Sequence, residues 1–224
     1  MTTNDSLERF LKLQVQEWTH QDTEQKNPRG GPVIAISREP GCDGESIARI
    51  LAKELGLVVY DWEIVEQIAK DAHVSEQLVA TLDESLRSEL EDWMDEFVGG
   101  SGFSEHQYVQ SLRRILFSIA AHGNAVIVGR CANFLISPEK RTIGLCLVAP
   151  LNVRVQNIMH KLHLSEEDAR ANIDRTEHEL RSLVKAIGHA DISDATNYHI
   201  VINTALVAPE MIVQIAKEML RANS

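Results

Sequence analysis

Val33-Ile34-Ala35-Ile36-Ser37-Arg38-Glu39-Pro40-Gly41-Cys42-Asp43-Gly44-Glu45-Ser46 decides how this chain folds. Its first four residues form an unbroken apolar run of strand length, as expected of a strand buried on both faces. A turn follows, rich in glycine and small polar residues. Beyond it Ile47, Ile50, Leu51 and Leu55 recur at helical spacing, and Gly56 stands where a left-handed helix terminator belongs. Residues 57–60 form a second short strand, and Asp61 is placed to cap the next helix. A strand, a helix and a strand within about 30 residues is the spacing of a parallel crossover.

The same alternation continues outward. Apolar runs at 125–128, 143–148 and 198–202 predict three more strands. Between them Pro150 opens one helix, Ser165 with Asp168 caps another, and Pro209 opens the last. The expected fold is α/β: a three-layer, doubly wound parallel sheet of five strands. Upstream, Leu7, Leu11, Val15 and Trp18 form a helical stripe, and 27–31 reads as a loop. Residues 1–31 are thus expected to be an N-terminal helix and linker, and 32–224 one domain. Within it Leu78, Leu82, Leu86, Leu90 and Phe97 predict one long acidic helix over 75–97. Gly99, Gly100 and Gly102 then mark a hinge. The expected helical insert covers about 73–104 and a lid about 155–190.

Composition narrows the function. The chain carries 22 basic and 33 acidic residues, a net charge of −11, which excludes a broad nucleic-acid surface. A small anionic ligand remains open, because a local arginine cluster binds one against the net field. The three cysteines, Cys42, Cys131 and Cys146, show no CxxC spacing. His160 and His163 lack a third placed ligand, so surface histidines explain them better than zinc. No apolar run approaches a membrane span. The expected setting is cytoplasmic, without membrane or nucleic-acid partners.

Chemistry concentrates in the first strand-to-helix turn. Ligands of open α/β sheets bind at the carboxyl ends of strands, and a helix N-terminus offers free N–H groups to an anion. Gly41 and Gly44 permit the close approach and unusual φ values of a phosphate nest. Two glycines in such a turn are also common for steric reasons alone.

Three ordered blocks extend the signal. The first is residues 34–38 with Gly41, Gly44, Ile47, Ala48, Tyr60 and Asp61. The second is 122–130 with Ala132, Asn133 and Phe134. The third runs from Val148, Ala149, Pro150 and Arg154 through 164–169 to Ile202, Asn203 and Thr204. In this order they resemble the cytidylate kinase-like family. The resemblance implies a P-loop kinase fold with a helical lid and insert, ATP with Mg²⁺ as phosphoryl donor, and CMP, dCMP or a related small nucleotide as acceptor. It implies that Gly41, Cys42, Asp43, Gly44, Glu45 and Ser46 cradle the donor phosphates, with the Ser46 hydroxyl reaching Mg²⁺. Arg130 and Arg113 would grip the acceptor phosphate, although Arg113 and Arg114 are adjacent and only one faces inward. Arg154, Arg170, Arg175 and Arg181 would supply lid charges, although spacings of five and six scatter the last three around a helix. A solvated face is their bland alternative.

The departures are equally informative. A Walker A loop reads GxxxxGK[ST], and the loop ending on Ser46 has no lysine. It carries Asp43 and Glu45 instead, each adding repulsion of ~1 kcal/mol or more toward a triphosphate. Arg38 is the loop residue whose guanidinium suits phosphate. The strand before Gly129-Arg130 also lacks an acidic residue. Arg38, standing in for the absent lysine, joins Arg130 and Arg154, which the resemblance implies, as the expected catalytic cations. The alternative is a non-catalytic nucleotide-binding or sensing module. A third reading, from another class, makes the acidic 75–97 segment a protein-interaction surface.

Overall fold

Unbroken apolar runs become strands here because both faces of the sheet need them. A computed structural model of the protein describes residues 13–14, 18, 30–70, 72–95, 103–129, 132–136, 142–188 and 191–222. Five parallel strands are β1 (Val33–Arg38), β2 (Val58–Asp61), β3 (Ala125–Val128), β4 (Thr142–Val148) and β5 (Ile200–Asn203), in the order β2-β3-β1-β4-β5. β1 lies at the centre, with Ile34 opposite Val126 on one side and Ile143 on the other. The chain leaves β1 toward β2 and β3, then crosses back to β4 and β5. The end of β1 is thus the switch point where such sheets open a crevice.

Two compact units are formed, one from 32–62 and 124–224, the other from 1–31 and 63–123. In the sheet unit, Ile34, Ile36, Val126, Val128, Leu145, Leu147 and Ile202 point to one face. They pack on Ile47, Ala48 and Leu51 of α1 (Gly44–Leu55) and on Ile212, Val213 and Ala216 of the C-terminal helix (Pro209–Ala222). Gly56 closes α1 at φ +66°, as its position predicted. On the opposite face the short helix Ala132–Leu135 meets β1, where the Asn133 amide donates to Ser37 Oγ at 2.9 Å. Gly144 is required there, because a Cβ would lie 2.5 Å from Asn133 Oδ1. The helices Leu151–Leu162 and Glu166–Gly188 pack through Val155, Ile158, Ala169 and Ile173. Ser165 caps the second of them by accepting from Asp168 N–H at 3.1 Å. In chain order the helices are numbered α1 (Gly44–Leu55), α2 (Trp62–Lys70), α3 (Ala72–Ala80), α4 (Glu84–Asp95), α5 (Phe103–His122), α6 (Ala132–Leu135), α7 (Leu151–Leu162), α8 (Glu166–Gly188) and α9 (Pro209–Ala222). Among the described residues no helix is long and apolar enough to cross a membrane.

The other unit corrects one expectation. The acidic segment is not one helix over 75–97 but two, α3 and α4, broken at Thr81–Asp83. Local polar groups satisfy both helix ends. Thr81 Oγ1 donates to Leu78 O at 2.6 Å, Arg87 Nη2 to Ala80 O at 2.7 Å, and Asp83 Oδ1 accepts from Leu86 N–H at 2.8 Å. Leu82 sits buried in the corner with Leu90, Met94, Phe117 and Ala121. Phe97 and the expected hinge at 99–102 lie outside the described residues.

His122, at the end of α5, stacks on Trp18 with ring centroids 4.3 Å apart. Its Nε2 lies 2.7 Å from Thr81 Oγ1, whose proton goes to Leu78 O, so the neutral ring donates here. Burial pushes its pKa down to about 4, against a smaller upward pull from Asp83. The folded value lies below the unfolded one near 6.5, so the unfolded chain takes up the proton first. Stability is therefore complete above pH 6.5 and is lost as pH falls toward 4, by at most ~3 kcal/mol. Urea unfolding across pH 4–8 should show this loss in the wild type, and His122→Gln should flatten that part of the profile. Equal acid slopes for both proteins would disprove the assignment.

Candidate functional site

The loop after β1 is built from backbone strain and close packing. Gly41 adopts φ +86°, and Asp43, the N-cap of α1, adopts φ +61°. The Asp43 side chain caps no amide of α1. It accepts instead from Ser46 Oγ at 2.7 Å. The first turn of α1 thus faces the loop without a cap from its N-cap side chain, and helix N-termini are where anions are received elsewhere. Gly44 is buried beneath the Arg38 side chain, whose Cδ would lie 2.6 Å from an added Cβ. The loop ending on Ser46 has no lysine, and its last three residues are Gly44, Glu45 and Ser46.

Two cations converge on that carboxylate. Arg38 Nη2 lies 3.2 Å from Glu45 Oε1, and Lys161 Nζ 2.5 Å from Oε2. Burial alone would raise the Glu45 carboxyl, but the hydrogen bonds from Lys161 and Arg38 outweigh it and hold the group below its ordinary value.

Helix α7 lies along the loop and contributes Arg154, Asn157 and Lys161 at i, i+3 and i+7, one face of the helix. Asn157 Nδ2 donates to Gly41 O at 2.7 Å, and the Arg154 backbone abuts Gly41. The Arg154 guanidinium is held between carboxylates, with Nε 3.3 Å from Glu39 Oε2 and Nη1 2.6 Å from Glu177 Oε1. Its Nε also donates to Ala149 O at 3.0 Å, and Glu39 accepts from Ala149 N–H at 3.0 Å. Thr204 Oγ1 donates to Cys42 O at 3.0 Å, tying the segment after β5 to the loop.

Cys42 and Cys146 are buried thiols. Burial pushes Cys42 up to about 12 and Cys146 up to about 11, which leaves neither a thiolate nucleophile at neutral pH.

The remaining expected site residues are distributed unevenly. Arg181 Nη2 pairs with Glu177 Oε2 at 2.7 Å and lines, with Arg38, Glu39 and Tyr198, a cavity of about 190 Å³. Arg170 pairs with Glu166 one turn away on the surface of α8, and Arg175 is exposed on the same helix. In the other unit Arg113 is buried in α5, and burial lowers its pKa. Arg114 is exposed beside a cavity of about 700 Å³ that Arg87 and Glu91 also line. Arg130 lies outside the described residues. Sequence reasoning missed Glu39, Glu177, Asn157 and Lys161. The polar i, i+3, i+7 stripe of α7 was the available signal for the last two.

This fold and loop define the class: a doubly wound parallel α/β protein with a glycine turn and a helix N-terminus at the end of its central strand. The chain belongs to the Cytidylate kinase-like family, which it matches over residues 33–206. It is 28% identical to the cytidylate kinase of Ignicoccus hospitalis, over 84% of this chain and 98% of that protein. The cytidylate kinase of Pyrococcus horikoshii is 27% identical, over 85% of this chain and 88% of that protein. A crystal structure of an uncharacterized protein from Eubacterium ventriosum, 17% identical, superposes with a TM-score of 0.58 over 85% of this chain and 99% of that one, and shows the fold alone.

Proposed function

We propose that the protein transfers a phosphoryl group from ATP to CMP, dCMP or a related small nucleotide. One observation carries the reading: the N-terminus of α1, not capped by the Asp43 side chain, lies directly behind a glycine turn at the end of the central strand. Membership of the family and relatives named cytidylate kinase support it. The first-turn amides of α1 would receive the donor phosphates over Gly41, Cys42, Asp43, Gly44, Glu45 and Ser46. Arg38 lies across the same turn and adds its guanidinium. Arg154, paired with Glu39 and Glu177, positions the loop from beneath. Arg130 would bind the acceptor phosphate, and Arg170, Arg175 and Arg181 would supply the lid.

The oxygens of Ser46 and Asp43, 2.7 Å apart, are hard donors of the kind Mg²⁺ takes, so the loop fits that ion. Bound there, Mg²⁺ would neutralise charge on the transferring phosphate. Phosphoryl transfer needs positioning and positive charge more than a covalent catalyst, and the site holds no activated nucleophile among its described residues.

A second reading is a nucleotide-binding module without turnover. It is favoured by the missing lysine, by the acidic loop and by the pairing of Arg38, Arg154 and Arg181 with carboxylates. A coupled assay with MgATP and CMP, dCMP or UMP decides between them. Turnover with a pyrimidine monophosphate is expected. Thermal stabilisation by nucleotide without product would favour the second reading, and neither turnover nor stabilisation would end both.

A further inference from the structure

The loop has no lysine of its own and carries Glu45 in the first turn of α1, yet the fold brings positive charge to that point from elsewhere. Arg38 reaches Glu45 from the end of β1, and Lys161 reaches it from the last turn of α7, 116 residues away in the chain. Helix α7 is fastened to the loop further back, by Asn157 on Gly41 O and by Arg154 on Glu39. The ammonium therefore sits on a docked element. The carboxylate between the two cations is in the first turn of α1, beside amides that the Asp43 side chain does not cap. Two cations and a helix N-terminus around one anionic group is what a polyphosphate would also require.

We propose that Lys161 replaces the missing P-loop lysine and that Glu45 is an internal competitor, which a nucleoside triphosphate displaces from Lys161 and Arg38 when it binds. The inference rests on the phosphate-loop reading given above. It goes further by assigning the cation and by predicting that an acidic loop residue opposes binding. Displacement needs only side-chain movement: Glu45 is about one-third exposed and Lys161 more than half exposed, so both have room to rotate away. The affinity cost is that of breaking two ion pairs before forming their equivalents with phosphate.

Calorimetric titration of the full chain with MgATP, and separately with inorganic tripolyphosphate, tests this. Wild type, Glu45→Gln, Glu45→Ala, Lys161→Met and the Glu45→Gln/Lys161→Met double variant are compared, each first checked by its melting curve. Either Glu45 variant should bind about tenfold more tightly than wild type, and Lys161→Met about tenfold more weakly. In the double variant the gain from Glu45→Gln should shrink, because the cation it releases is gone. Glu45 variants that bind no better than a wild type that does bind would overturn the inference and leave the phosphate-loop reading intact. An unaffected Lys161→Met would overturn the assignment of the ammonium. Failure of every form to bind either probe would overturn the phosphate-loop reading itself, and this inference with it.

Discussion

Gly41→Ala is expected to lower the melting temperature by roughly 10 °C and to abolish stabilisation by nucleotide. Two independent effects add at this position. Its φ of +86° is a conformation that L-residues adopt at a cost of about 1–2 kcal/mol. An added Cβ would also lie 2.5 Å from Arg154 O and 3.0 Å from Arg154 Cα, backbone atoms that cannot swing aside. Either the loop or the start of α7 must move, at a further cost of about 1–3 kcal/mol. A total near 3 kcal/mol corresponds to the stated fall in a chain of this size. The same movement would break the bond from Asn157 to Gly41 O, disordering the turn. Gly56→Ala is the internal control. Its φ is +66°, but nothing lies within 4 Å of the added atom, so only the conformational cost remains. Differential scanning of both variants with and without MgATP gives the comparison. Equal losses for the two would remove the steric part of the explanation.

Arg154→Met should cost about 2–3 kcal/mol of stability. Breaking a buried pair by removing one partner costs about 3–5 kcal/mol, because the other charge is left uncompensated. Here the arginine side chain is 9% exposed, but Glu39 and Glu177 are 36% and 20% exposed, and solvent screens part of the loss. Glu39 keeps its bond from Ala149 N–H, and Glu177 keeps Arg181. Removing Glu177 as well, in Arg154→Met/Glu177→Met, should recover about half of the lost stability, since one unpaired carboxylate goes with it. Urea unfolding at pH 7 measures both. An arginine that acts on substrate alone would give the opposite pattern, with activity lost, stability unchanged and no recovery from the second substitution.

The two substitutions separate what was legible in the sequence from what was not. Gly41 was legible, because a glycine in a strand-to-helix turn signals a local backbone requirement, and φ +86° confirms it. The five strands were legible too, within a residue or two, because the three central ones are buried on both faces and tolerate few polar residues, while the edge strands keep a short apolar run. Helix ends at Gly56, Ser165 and Pro209 followed from the same local chemistry. The break at Thr81–Asp83 was hidden by a leucine stripe that continues through it. Leu82 remains buried while its neighbours turn the chain, and apolar spacing alone does not distinguish that corner from a continuous helix.

Arg154 shows the other limit. The family resemblance marked it as a cation of the site. That its charge is divided between Glu39, 115 residues earlier, and Glu177 depends on how α7 and α8 lie over the loop. Lys161 is the stronger case, since no local feature links it to Glu45.

The quoted stretch from Val33 to Ser46 by itself determined a central strand, a glycine turn and a helix N-terminus, because each depends on neighbours in the chain. It also determined that the loop has no lysine of its own. Only the tertiary structure decided where the positive charge comes from. Ion pairs are made between whichever side chains packing brings within a few ångströms, and here packing brought Lys161 to the Glu45 carboxylate of a loop without a lysine.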